Sequence, residues 1–272
     1  MLTSAVPGLA YDWIVTDLDG TLVDRDLRIV RRSAEALRRY RELGGTVVVA
    51  TGRNEVSAGL YHRELGLTTP MIVCNGARIT DRHSGARLLD LDLGASWQPL
   101  RDRLVPALPH GVGAIAFAGE RAFVLRQAPV LAEYAGRDRI ELREDEPRQA
   151  PTKVMLIAER PGLGPLAELA ARYCPALRLL QSEATYLEML PPGAGKGPAL
   201  RVLAEREGVA LDRIAAIGDN PNDTDMLRTA GLGAAVGDGH PQVRAAAGLV
   251  VGPCAGGAVA DLVEHVIGDR VR

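Results

Sequence analysis

WIVTDLDGTLVD, residues 13–24, is the stretch on which the reading of this chain turns. Trp13, Ile14 and Val15 form a short apolar run of the kind that makes a buried strand. Asp17 and Asp19 follow where that strand should end, and Gly20 lets the chain turn sharply just after them. Extended backbone sends residues i and i+2 to one face, so both carboxylates are expected to point into the same cleft. Two such charges about 4 Å apart repel by on the order of 4 kcal/mol at an effective dielectric near 20. A positive partner is needed among them, or a carboxyl takes up a proton.

Outward from this stretch the chain is periodic. Over 30–43, Ala36, Leu37, Tyr40 and Leu43 recur at helical spacing, and Gly44-Gly45 marks the stop. TVVVA, residues 46–50, is apolar on both faces, as in a parallel strand covered by helices on each side. TGR leaves that strand, a helix is expected over 54–65, and MIVC, residues 71–74, predicts a third buried strand. This β-α-β-α-β order is the signature of an open parallel sheet. Then the rhythm breaks. Hairpin-like strands are expected over 88–93, 113–117, 122–125 and 153–158, with an amphipathic helix over 163–173. It resumes with a helix over 196–208, a strand over 213–219, a short helix over 223–231, strands at 234–236 and 248–251, and a last helix over 258–267. The expected architecture is α/β: a doubly wound parallel-sheet, Rossmann-like core from residues 1–80 and 186–272, with an inserted α+β domain over 81–185.

Bulk properties narrow the function. The 272 residues suit two domains or one large α/β unit. Aromatic residues are few, so Ala, Val and Leu must do most of the packing. A formal charge of −2 gives no polycationic field, so nucleic acid is not an expected partner, and an anionic substrate needs a local positive pocket. Cys74, Cys174 and Cys254 form neither a CxxC pair nor a zinc spacing, which suits reduced thiols in a cytoplasmic protein. The N-terminal segment lacks a basic n-region followed by an apolar stretch, and no run approaches the roughly 20 apolar residues that cross a membrane. Neither a signal peptide nor a membrane partner is expected. The five histidines show no metal spacing, and the arginines at 31, 32, 38 and 39 read as a solvated helix face.

In an open parallel sheet, ligands bind at the carboxyl ends of the strands. Asp17 with Asp19, Thr51, and Asp219 with Asp223 all fall at such ends, and Lys196 opens a helix in the same half of the fold. A hard dication with oxygen ligands answers the charge problem, and Mg²⁺ is the common choice where phosphate is also bound. Lys196 adds a second positive charge, although taken alone it reads as a surface lysine. GAGKG is not a nucleotide P-loop: Leu190 stands where its first glycine belongs and Gly197 replaces Ser/Thr.

DLDGTL, ATGR, GKGPAL and GDNPND, in this order, resemble the four motifs of the haloacid-dehalogenase-like (HAD) phosphatases, and within them the Cof-type, sugar-phosphatase-like branch. CNGARI, residues 74–79, resembles that branch's crossing into its cap, and residues 230–251 resemble its C-terminal segment. The resemblance implies that Asp17 attacks phosphorus to form an aspartyl phosphate, and that Asp19 protonates the leaving oxygen and then activates water. It gives Thr51 and Lys196 to the phosphoryl oxygens. Mg²⁺ falls to Asp17, the Asp19 carbonyl and Asp219, with Asp223 in support. Gly52, Arg53, Asn75 and Asn222 fall on the substrate side, although Arg53 in itself reads as structural or lid-contacting. The gap between Asp17 and Thr51 holds little beyond one helix and one strand, whereas that between Thr51 and Lys196 is far longer, which implies a C2-type cap between the second and third motifs. Asn75-Gly76 and Pro191-Pro192-Gly193 are its candidate hinges, and Arg121 and Arg126 its candidate anion contacts. The implied function is a Mg²⁺-dependent phosphomonoester hydrolase acting on small phosphorylated metabolites, sugar phosphates first. A phosphomannomutase-like phosphomutase and a sugar-phosphate-binding regulator without turnover are the alternatives.

Overall fold

The computed structural model describes residues 9–268, so most of the N-terminal segment read above for a leader lies outside the described residues. The chain starts with β1 (Trp13–Thr16), α1 (Arg31–Glu42), β2 (Thr46–Val49), α2 (Glu55–Glu64), β3 (Met71–Val73), β4 (Arg78–Thr80) and β5 (Arg87–Asp90). Its middle forms β6 (Val112–Ala118), β7 (Arg121–Arg126), α3 (Val130–Asp138), β8 (Leu142–Arg143), β9 (Lys153–Ala158), α4 (Gly164–Tyr173), β10 (Arg178–Glu183) and β11 (Tyr186–Leu190). It ends with α5 (Lys196–Glu207), β12 (Ile214–Gly218), α6 (Thr224–Thr229), β13 (Leu232–Ala235), α7 (Pro241–Ala246), β14 (Leu249–Val250) and α8 (Ala258–Gly268).

β1 lies inside a five-stranded parallel sheet of order β14-β13-β12-β1-β2, and a bridge from Ala50 to Ile72 brings β3 alongside β2. The strands are apolar on both faces because both are covered. On one face Ala199, Leu200, Leu203 and Ala204 of α5 pack on Trp13, Val15, Val48 and Ala216. Elsewhere α1 and α8 pack on each other and reach β2 and β12. At roughly 1.5–3 kcal/mol for each fully buried Val, Leu or Ile side chain, this packing holds the strand ends in place. The register sets Thr16 level with Val49 on one side and Ile217 on the other, so the residues after β1, β2 and β12 emerge along one edge.

The chain divides into two compact units. The second comprises Arg53–Ser57 and Asp90–Ala194, against the expected insert of 81–185. Leu88 and Leu89 pack on the apolar cluster of the first unit, whereas β11 pairs with β9 in the sheet of the second. That sheet has the order β10-β11-β9-β6-β7-β8. One face, including Ala114, Ala116, Val154, Leu156, Leu187 and Met189, packs with Leu100, Leu104, Leu166 and Ala170 of the helical segments. The other carries Ile115, Phe117, Met155 and Ile157 with Leu131 and Tyr134 of α3. Arg126, read above as an anion contact, donates to the Val105 carbonyl (3.1 Å). Among the described residues no helix is long and apolar enough to cross a membrane.

Candidate active site

Asp17 is the first residue beyond β1, and its N–H still donates to the Ile217 carbonyl (3.0 Å). The chain then folds back around the Leu18 carbonyl, which accepts from the N–H groups of Thr21, Leu22 and Val23 at 2.8–3.2 Å. Leu18, Leu22 and Val23 are fully buried and pin this loop from below. Gly20 has φ +78° and faces Asp219 so closely that a Cβ would clash with its carboxylate, so only glycine fits. Thr21 donates its hydroxyl to Asp219 Oδ1 (2.8 Å).

Lys196 is fully buried, at the start of α5. Its Nζ donates to Asp17 Oδ1 (2.7 Å) and to Asp223 Oδ1 (2.6 Å). Asp223 is held in turn, its Oδ2 accepting the N–H groups of Asp219 and Asn220 at 3.1 Å. Asp17, Asp219 and Asp223 each bring an oxygen within 4.8 Å of the others. The side chain of Asp19 is not one of that trio, yet its charge helps raise the pKa values of both Asp17 and Asp219.

Thr51, buried beyond β2, donates its N–H to the Ile72 carbonyl (2.9 Å) and accepts from the Asn75 N–H (3.0 Å). Asn75 Oδ1 accepts from Asn222 Nδ2 (2.9 Å), which ties the CNGARI turn to the fourth motif. Asn75 Nδ2 and Asn222 Oδ1 are buried without hydrogen-bond partners. Such atoms are rare in folded proteins and call for an explanation. Cys74, Asn75 and Gly76 are all left-handed (φ 52°, 53° and 82°), and a Cβ on Gly76 would overlap the Gly195 carbonyl. The Cys74–Gly76 turn is thus wedged against the residue before Lys196. At Gly52 a Cβ would come within 3.0 Å of Asn75 Nδ2. Arg53 belongs to the second unit, where it meets Ser57 and Asp138. The sequence reading gave no role to Thr21, though its signal was present in the DGT that begins at Asp19.

The electrostatics match the donor set. Burial pushes the Asp17 carboxyl well up, Lys196 opposes this, and Asp223, Asp219 and Asp19 push it further. Burial, with Asp223, pushes Asp219 up to about 7, against the Thr21 hydrogen bond and Lys196. Burial pulls the Lys196 ammonium down, but its bonds and charge interactions with Asp17 and Asp223 outweigh this and keep it protonated. One ammonium does not balance three carboxylates. An all-oxygen set with surplus negative charge fits a hard dication such as Mg²⁺.

A folded-state carboxyl pKa above the unfolded value stabilises fully below the unfolded pKa, near 4, and that stability is lost as pH rises through the folded pKa. For Asp219 this window ends at about 7. In EDTA the melting temperature is therefore expected to fall between pH 5 and pH 8. Saturating Mg²⁺ should raise it by several degrees more at pH 8 than at pH 5, as scanning fluorimetry can measure. Equal Mg²⁺ shifts at both pH values would detach the ion from these carboxylates.

Residues 14–263 match the family described as haloacid dehalogenase-like hydrolase. The chain is 28% identical over 264 residues to the HMP-PP phosphatase of Cronobacter sakazakii, across 92% of this chain and 93% of that protein. It is 27% identical over 272 residues to the pyridoxal phosphate phosphatase of Escherichia coli, across 93% and 98%. A solved haloacid dehalogenase-like hydrolase from Bacteroides thetaiotaomicron superposes with a TM-score of 0.83 at 25% identity, over 94% of this chain and 99% of that one.

Proposed function

This chain belongs to the haloacid dehalogenase-like hydrolase family, and from that premise we propose that it is a Mg²⁺-dependent phosphatase of small phosphorylated metabolites. The observation that carries the reading is the buried Lys196 ammonium joining Asp17 to Asp223, with Asp219 in reach. A nucleophile of this kind must be ionised yet shielded from the negative phosphate it attacks. The lysine opposes the burial that favours the neutral carboxyl, and it offsets part of the negative charge around it.

With Asp17 Oδ1 held by Lys196, Oδ2 is the attacking atom. It forms a bond to phosphorus as the bond to the leaving oxygen breaks, and Asp19 gives that oxygen its proton. Water then attacks phosphorus, Asp19 takes its proton, and the departing Asp17 carboxylate is restored as phosphate leaves. Thr51, Gly52, Asn75 and Asn222 supply donors to the phosphoryl oxygens, and the buried unpaired Nδ2 of Asn75 is such a donor. Asp17, Asp219, Asp223 and the Asp19 carbonyl would hold Mg²⁺, which supplies charge compensation at the phosphoryl group. The work is mainly positioning and electrostatic stabilisation of an in-line transfer.

A panel of sugar phosphates, pyridoxal phosphate and an aryl phosphate, assayed with Mg²⁺, tests this reading. At least one small phosphomonoester is expected to release free phosphate with kcat/KM above about 10⁴ M⁻¹s⁻¹. With mannose 6-phosphate, a ³¹P signal of a 1-phosphate isomer without free phosphate would instead establish the mutase. No release from any member would leave only the regulator.

A further inference from the structure

Lys153 and Lys196 are the only lysines among the 32 lysines and arginines of the chain, and both are buried. Lys153 pairs with Glu188 in the second unit. Lys196, in the first, is gripped at its tip by Asp17 and Asp223. A long flexible stem reaches a fixed point reproducibly only from a fixed backbone. Lys196 is the first residue of α5, and the first N–H groups of a helix find no partner within it. Gly195, just before it, has no side chain with which to cap them. Pro198 carries no N–H, and Ala199 already donates to the Gly195 carbonyl (3.0 Å). The Gly197 N–H is the donor that a capping side chain usually takes. Asp225 supplies this cap from 28 positions away, its Oδ1 accepting from the Gly197 N–H at 3.1 Å. Gly197 makes the approach possible, because a Cβ there would overlap the Asp225 carbonyl and crowd Thr229 Oγ1.

Asp225 stands in the first turn of α6, two residues after Asp223. One short segment therefore grips both ends of the lysine: Asp223 Oδ1 takes its Nζ (2.6 Å), and Asp225 takes the backbone N–H next to its root. The segment is itself fixed. Asp223 Oδ2 accepts from the N–H groups of Asp219 and Asn220, and Met226 and Leu227 are buried. The Cys74–Gly76 turn, wedged against the Gly195 carbonyl, closes the other approach to the helix start. All of these residues belong to the first unit. We propose that Asp225 is a positioning residue of the active site: by capping α5 at Gly197 it fixes the backbone from which Lys196 reaches Asp17. It acts through Lys196 and not on the substrate. The inference rests on the phosphatase reading above.

With two lysines in the chain, protein grown on ¹³Cε-lysine gives two side-chain NMR signals, which Lys196→Met and Lys153→Met assign. In EDTA, Asp225→Ala is expected to displace the Lys196 signal and leave that of Lys153 in place. With Mg²⁺ and an aryl phosphate, the same variant should lose about 10- to 50-fold in kcat with KM little changed, in line with the steep dependence of site chemistry on placement. Asp225→Asn keeps an acceptor oxygen at the same reach and should restore both the signal and most of kcat. Asp225→Ser is one bond too short for Gly197. It should behave like Asp225→Ala, which covers the case in which that variant does not fold. Asp81→Ala strips a comparable local hold from the β4–β5 turn, where Asp81 accepts from the His83 N–H and the Ser84 hydroxyl. It should leave the Lys196 signal unmoved and kcat within about twofold, as for an independent site. A folded Asp225→Ala or Asp225→Ser protein whose Lys196 signal stays in place overturns the proposal, and so does one whose signal moves while kcat holds. An equal loss in Asp225→Asn also overturns it, because the role would then belong to the charge and not to the cap. If wild type releases no phosphate from any phosphomonoester, the phosphatase reading falls instead, and the Lys196 signal alone decides whether Asp225 holds the lysine.

Discussion

Replacing Asp17 by asparagine is expected to lower kcat by at least about 10⁴-fold, the scale of losses seen when an enzyme's nucleophile is removed. The protein should remain folded. Asparagine has nearly the shape of aspartate, retains an oxygen that can accept from Lys196, and leaves the ammonium its bond to Asp223. It also removes a charge that burial and three neighbouring carboxylates disfavour. The metal-free variant should therefore melt at or above the wild-type temperature, while the Mg²⁺-induced rise should shrink because one carboxylate ligand is gone. Loss of phosphate release with a retained melting transition supports the assignment. If more than about 1% of wild-type kcat survives, at the edge of what general acid–base and electrostatic groups alone could sustain, the nucleophile lies elsewhere.

What the sequence disclosed depends on how far apart the interacting residues are. Asp17, Thr51 and Asp219 were legible because each follows an apolar run, and parallel strands send such ends to one edge. Lys196 was legible only through motif order. Alone it read as a surface lysine, yet it is fully buried. Its burial comes from carboxylates 179 and 27 positions away, which no local pattern reveals. β10 and β11 went unread for a similar reason. YLEML is apolar but for its central Glu188, which belongs on a buried face only because Lys153, 35 positions earlier, meets it there. The helical segments after β5 were hidden by Pro99 and Pro106, which flank a wide turn at Leu100–Leu104. The limits of the insert were displaced because Leu88 and Leu89 look like hairpin residues and pack as core. In each case the local signal was sound, and tertiary pairing overrode it.

The same dependence makes Lys196 the position where fold and chemistry fail together. In Lys196→Met an unbranched side chain of nearly the same length stays at this buried position, but Asp17 and Asp223 lose their shared cation. Removing one partner of a buried ion pair costs about 3–5 kcal/mol, because the remaining charge is left uncompensated. For a chain of this size that lowers the melting temperature by roughly 6–20 °C. The loss should depend on pH. With burial holding Asp17 and Asp219 above their ordinary range, the carboxyls of the variant take up protons at pH 5.5, and the deficit there should be small. At pH 8 they must ionise side by side without the lysine, and the deficit in EDTA should be full. Mg²⁺ should restore part of the melting temperature at pH 8. It should not restore turnover, because the phosphoryl oxygens still lack the ammonium, and kcat/KM is expected to fall by at least about 10³-fold. Thermal melts at both pH values, with EDTA and with Mg²⁺, separate these effects. A variant that melts like wild type in EDTA at pH 8 would mean that the carboxylates do not rely on this lysine, and the electrostatic basis of the site would have to be sought in another cation.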